Sequence, residues 1–276
     1  MRLALPNQLF EKRRLSVMSS ASYCRKGFGV LNGAVSPVVN MQSREESAVA
    51  VVLGVRQQMV VRQPGSNQQV KLLAAAFDRH GRSVQSVERT VGLELPSNAA
   101  GDAPFEVLLR MTLKPGRYEL RVALDAGSAE RASVYTDVDV PDFLQQPLSL
   151  SGVVVATSPA LPSAAHDIFK DLLPIVPTAR REFARASRAS VFLRVYQRSN
   201  DAPQPVRMTA QIQDPSGRVL MKDAVALEAA QFASDHAADY RIALPVERLT
   251  AGEYLLSIEA AQGEHIASRA VRFTVR

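Results

Sequence analysis

Leu113-Lys-Pro-Gly-Arg-Tyr-Glu-Leu-Arg-Val122 is answered 136 residues later by Leu249-Thr-Ala-Gly-Glu-Tyr-Leu-Leu-Ser-Ile258. In each copy a glycine able to take positive φ precedes a tyrosine by two positions, and the residues from the tyrosine onward alternate with the period of a half-buried strand. The sixth strand of an immunoglobulin-like sandwich begins this way: a corner tyrosine buries its ring and returns its hydroxyl to the backbone a few residues upstream. Gly116, Tyr118, Gly252 and Tyr254 are therefore the predicted structural corners. Leu120 and Leu256 stand where antibody domains place a disulfide cysteine, so packing alone is expected to hold the sandwich.

The same offset of 136 pairs Val70–Val84 with Val206–Leu220, matching Asp78 to Asp214, Gly81 to Gly217 and Arg82 to Arg218. Two distant stretches in one register predict a tandem of one fold. Around the corners run short strands at near-regular spacing, among them Ala48–Val55, Val70–Phe77, Ser83–Leu95, Phe105–Leu113 and Ala132–Val140, a pattern that reads as a β-sandwich. Ala48–Val55 and its counterpart Arg188–Tyr196 are nearly continuous apolar runs, suited to strands buried on both faces. The predicted class is all-β: two tandem immunoglobulin-like or fibronectin type III-like antiparallel sandwiches. Residues 44–141 form the first, 142–147 a proline-containing linker and 148–276 the second, with Leu148–Ala156 as its opening strand. Ser163–Leu173 is expected to hold a short helical turn capped by Ser163, and Pro174–Phe183 an extended edge segment.

Residues 1–43 read differently. They hold six basic residues against Glu11 alone, and so carry five of the six net positive charges of the chain. The stretch is read as a basic, disordered extension. Two other readings stay open, a first strand within Val30–Val39 and an Arg-rich, Ser-rich targeting peptide. The remaining body is nearly neutral, which argues against nucleic acid as a partner. No apolar run is long enough for a transmembrane segment, and Pro6, Asn7 and Gln8 interrupt any signal-peptide core. Cys24 is alone, so no disulfides are expected within the chain.

The chemistry-bearing motifs of hydrolases, metalloproteases and nucleotide binders are missing from the sequence, as is any Cys-x-x-Cys. His80, His166, His236 and His265 are scattered through predicted turns and loops. Asp78 and Asp214 read as turn carboxylates accepting backbone N–H groups, and Asp137 and Asp139 as a solvated strand face. No cofactor or catalytic residue is predicted. Arg180, Arg181, Arg185 and Arg188 form the one dense basic cluster of the body, either a patch for an acidic partner or lipid surface, or charge that blunts a strand edge.

Residues 47–276 resemble the C-terminal region of the von Willebrand factor type A-related proteins of Acidobacteria. The likeness rests on Pro115–Val122, Ser133–Phe143, Pro147–Val153, Leu173–Phe183 and Gly252–Ile258. That family places a type A domain upstream, usually behind a secretion signal, and the metal site of that domain needs an Asp-x-Ser-x-Ser string. This chain has neither the string nor the signal. The resemblance implies the accessory half of an envelope or secreted protein: a non-enzymatic structural or protein-interaction module whose partner is a protein. A carbohydrate- or ligand-binding pair is the alternative, weakened by the absence of tryptophan.

Overall fold

The computed structural model describes residues 35–41, 46–56, 67–94, 104–125, 131–198 and 202–276. Seven strands make the first sandwich: β1 (Val35–Met41), β2 (Ser47–Arg56), β3 (Asn67–Phe77), β4 (Ser83–Glu94), β5 (Pro104–Leu113), β6 (Gly116–Asp125) and β7 (Arg131–Val140). They form two antiparallel sheets, β1-β2-β5 and β4-β3-β6-β7. Val49, Val51 and Leu53 of β2 meet Leu72, Ala74, Leu120 and Val122 from the other sheet in the core between them. These are alternate residues of each strand, the inward set of a period-two pattern.

The second sandwich repeats the plan with β8 (Leu148–Leu150), β9 (Val154–Ser158), β12 (Arg188–Gln197), β13 (Val206–Gln213), β14 (Val219–Leu227), β15 (Ala237–Leu244), β16 (Gly252–Gln262) and β17 (His265–Val275). β15, β12 and β8 form one sheet, with β9 also on β12, and β14-β13-β16-β17 form the other. The expected single strand Leu148–Ala156 is thus two, broken at Ser151–Val153. Ser151 turns inward there and exchanges hydrogen bonds with Arg194: its N–H donates to the Arg194 carbonyl and its Oγ accepts the Arg194 N–H, both at 2.9 Å.

Two further strands tie the halves together, and the sequence reading did not anticipate them. β10 (Ser163–Ala164) leaves the second sandwich and adds in parallel to the outer edge of β5. β11 (Glu182–Phe183) adds in parallel to β17. Ser163 is therefore a strand residue, and the helical turn is a 3-10 turn at His166–Phe169 preceded by Ala165 in the left-handed region, with no side-chain cap.

One boundary is corrected. Val35–Met41, assigned to the basic extension, is strand β1, paired antiparallel to β2 from Val35 opposite Leu53 to Met41 opposite Ser47. Pro37 obscured it, but β1 is an edge strand, where a missing N–H breaks no ladder. The rest of the extension lies outside the described residues, as does Gly127.

β2 and β12 are buried on both faces, as their continuous apolar runs predict. The outward residues Ala48, Ala50 and Val52, with Leu108 of β5, form a third apolar cluster with Val154 and Phe192 of the second sandwich and with Phe169, Leu172, Leu173 and Ala179 of the segment between β9 and β12. Within the linker, Phe143 is buried against Tyr196 with ring centroids 4.6 Å apart. Asp142 shapes the turn by accepting the N–H groups of Leu144 and Gln145.

Candidate functional site

The two corners have the geometry that the repeated stretch calls for. Tyr118 Oη donates to the Lys114 carbonyl at 3.0 Å, and Tyr254 Oη donates to the Thr250 carbonyl at 2.8 Å with Thr250 Oγ1 3.1 Å away. Gly116 takes φ +152°, and a Cβ there would stand 3.1 Å from Tyr118 Oη, so glycine makes room for the ring. Tyr254 is buried and packs against Phe273, whereas Tyr118 is half-buried. Both are structural.

The paired aspartate turns are likewise local devices. Asp78 Oδ1 accepts the N–H groups of His80 and Arg82, and Asp214 Oδ1 those of Ser216 and Arg218. Backbone donation, chiefly from Arg82, holds the Asp78 carboxyl below its ordinary value, and the Ser216 hydroxyl leads the same effect at Asp214. Gly81 and Gly217 close these turns at φ +75° and +83°. Asp239 forms an ion pair with Arg194 at 2.8 Å, and Asp235 accepts the Ala237 N–H. His80 Nε2 accepts a hydrogen bond from Arg79 in its exposed turn. Among the described residues, no group of three or more His, Cys, Asp or Glu side chains could hold a metal ion.

The groups with the most perturbed environments lie at the junction of the sandwiches. Glu106, on the outward face of β5, is 2% exposed. Its Oε1 accepts the Thr178 hydroxyl at 2.6 Å and the Ala179 N–H at 2.7 Å, and its own N–H donates to the Pro162 carbonyl. Burial pushes the Glu106 carboxyl up, opposed by the Thr178 and Ala179 donors and more weakly by the charges of Arg180 and Arg181. Arg181 donates to the carbonyls of Thr178 and Arg180 at 2.9 and 2.8 Å, and burial lowers its guanidinium to about 10 against the pull of Glu106. At the rim, Arg110 and Asp171 form a two-oxygen ion pair between β5 and the segment after the 3-10 turn.

The basic cluster consequently divides. Arg181 points into the junction and does not share a surface patch with the others. Arg180 is half-exposed, and its N–H donates to Thr178 Oγ1. Arg185 is exposed; its N–H donates to the Arg276 carbonyl and its guanidinium reaches the Glu247 carbonyl at 3.4 Å. Arg188 is exposed at the start of β12, beside an open groove of about 400 Å3 bounded by Thr157 and Ser158 on one side and Ile175 and Val176 on the other.

Sequence reasoning missed Glu106 and the groove. The available signal for Glu106 was a single acid inside the apolar run Phe105-Glu-Val-Leu-Leu109, at a position whose β5 neighbours face inward.

No family model matches the chain, and no curated protein matches it. Among solved structures it is similar to the C-terminal domain of wzt (12% identity, TM-score 0.31), over 48% of this chain and 75% of that one. It is similar also to a putative beta-galactosidase from Bacteroides fragilis (9% identity, TM-score 0.31), over 87% of this chain and 34% of that one. Latent PorU from Porphyromonas gingivalis is a third (13% identity, TM-score 0.32), with 88% of this chain and 20% of that one covered. The chain thus spans about a third or less of the last two.

Proposed function

We propose that the chain is a non-enzymatic protein-interaction module, the accessory half of a von Willebrand type A-related envelope or secreted protein. The observation that carries this reading is the junction. A buried apolar cluster, a buried carboxylate gripping two donors, and a strand exchanged from one half to the other make the two sandwiches a single stiff body. Flexible linkage would suffice to tether two independent binders. A locked angle instead suits a part that holds a neighbour, or a partner protein, in fixed orientation. The strand order in both halves, three strands facing four with a tyrosine corner on the sixth, supports the immunoglobulin-like assignment.

The test is to recover the native protein from its own cells with an antibody against the second sandwich, and to measure its intact mass and what co-purifies. A mass well above 30.0 kDa, or a stoichiometric protein partner, is the expected result. A 30.0 kDa product with no protein partner, or one that binds glycans on an array, would overturn the reading.

A further inference from the structure

The groove beside Arg188 is a place where a sheet edge stops short of its next strand. The Ser151 N–H donates to the Arg194 carbonyl, so the even-numbered residues of β12 direct their backbone groups toward β8 and β9. Ser190 and Phe192 therefore pair with Ala156 and Val154, and the odd-numbered residues of β9 face away. The Thr178 N–H donates to the Val155 carbonyl at 2.8 Å, which confirms that direction independently. By the same alternation the N–H and C=O of Thr157 point outward, into the groove.

The chain returning through Ile175–Thr178 covers Val155 but leaves Thr157 bare. Pro177 has no N–H to extend the ladder, and the segment peels away there. Val176 is left 39% exposed on the far wall, while Ala189 lines the groove from β12. Arg188 pairs with Ser158 in the register, so its guanidinium belongs to the end of this edge, one position past Thr157. It is exposed and forms no ion pair among the described residues.

We propose that this groove binds the C-terminus of an extended peptide, which adds as a short strand along Thr157 while Arg188 holds its terminal carboxylate. The assignment rests on the interaction-module reading and names a class of partner for it. Strand addition takes its strength from main-chain hydrogen bonds and its selectivity from the side-chain walls, here small and apolar. Arginine suits the far end because its planar fork accepts a carboxylate through two parallel bonds.

The probe is an N-terminally fluorescein-labelled Gly-Ser-Thr-Val-Thr-Val peptide with a free C-terminus, compared with the same peptide as its amide. Both are titrated with the full chain by fluorescence anisotropy. The acid is expected to bind at least tenfold tighter than the amide. Arg188→Gln should erase that difference while leaving the urea midpoint unchanged, and Val176→Arg, which fills the slot, should weaken both peptides. Equal affinity for acid and amide, a tenfold preference that survives Arg188→Gln, or saturable binding of neither peptide would overturn the site. Co-purification from native cells, repeated with the Arg188→Gln chain, separates this failure from that of the broader reading. A protein partner retained by the variant, with no peptide binding, sinks the groove and leaves the module standing.

Discussion

Replacing Glu106 by alanine removes the acceptor at the centre of the junction. The Thr178 hydroxyl and the Ala179 N–H, on residues only 3% and 1% exposed, lose their partner and have no route to solvent. A buried donor left unpaired costs about 1–3 kcal/mol, so the two together cost about 2–6 kcal/mol. Relief of the buried carboxylate offsets part of this, because burial already pushes its pKa up. Arg181 meanwhile loses the negative charge that supports its protonation. A net loss of about 3 kcal/mol is expected, in the range for breaking one side of a buried charged cluster. With a urea slope of about 2–3 kcal/mol/M, the midpoint falls by about 1 M. Glu106→Gln is the control, since a neutral oxygen can still accept both bonds, and it should lose no more than about 1 kcal/mol. The assay is urea denaturation followed by circular dichroism and by the proteolytic release of each sandwich. Wild type should unfold in one transition and Glu106→Ala in two, as the halves come apart first. A Glu106→Ala midpoint within about 0.3 M of wild type, or a single transition in both proteins, would refute the claim that this carboxylate locks the junction.

The pH dependence has a defined sign. A carboxyl raised in the folded state contributes stability that is fully present below its unfolded value and lost as pH rises through the folded one, so wild type should gain on Glu106→Gln as pH falls from 8 toward 5. Equal slopes for the two proteins across that window would contradict the burial of the charge. Phe192→Ala empties part of the shared apolar cluster and should cost about 3–5 kcal/mol, read as a drop in thermal midpoint with loss of single-transition unfolding. Tyr254→Phe leaves the Thr250 carbonyl without its donor in a buried corner and should cost about 1–3 kcal/mol in urea titration. The half-buried Tyr118→Phe should fall at the low end of that range. Gly217→Ala at φ +83° should cost about 1–2 kcal/mol by chemical denaturation, although a Cβ there meets nothing within 4 Å, because the penalty is backbone strain.

What could be read in the sequence was whatever short-range chemistry determines. The corner tyrosines, the aspartate turns closed by Gly81 and Gly217, and the doubly buried β2 and β12 each follow from spacing within about ten residues. β10 and β11 are two residues long, so no periodicity marks them, and only their partners define them as strands. Glu106 was illegible for the same reason: its donors lie 72 and 73 residues away, and an isolated acid in an apolar run does not say what will cover it. Arg181 looked like part of a surface cluster because charge density along a chain does not reveal which side chain turns inward. The groove at Thr157 depends on where a returning segment departs from an edge. Pro177 gave a hint of that only once the pairing was known.

The exchanged strand also sets an order of events during synthesis. The last strand of the first sandwich closes at Val140, but the chain that covers the β5 edge and the face of Ala48, Ala50 and Val52 lies between Ser163 and Ala179. At ribosomal rates of about 5–20 residues per second, that leaves roughly 2–8 s in which a finished sheet presents an open edge and an apolar face to the cytosol. An unpaired edge of this kind is a template for other chains. The first sandwich therefore completes its surface only with material supplied by the second, and a ribosome stalled between residues 140 and 163 would release the half most prone to aggregate.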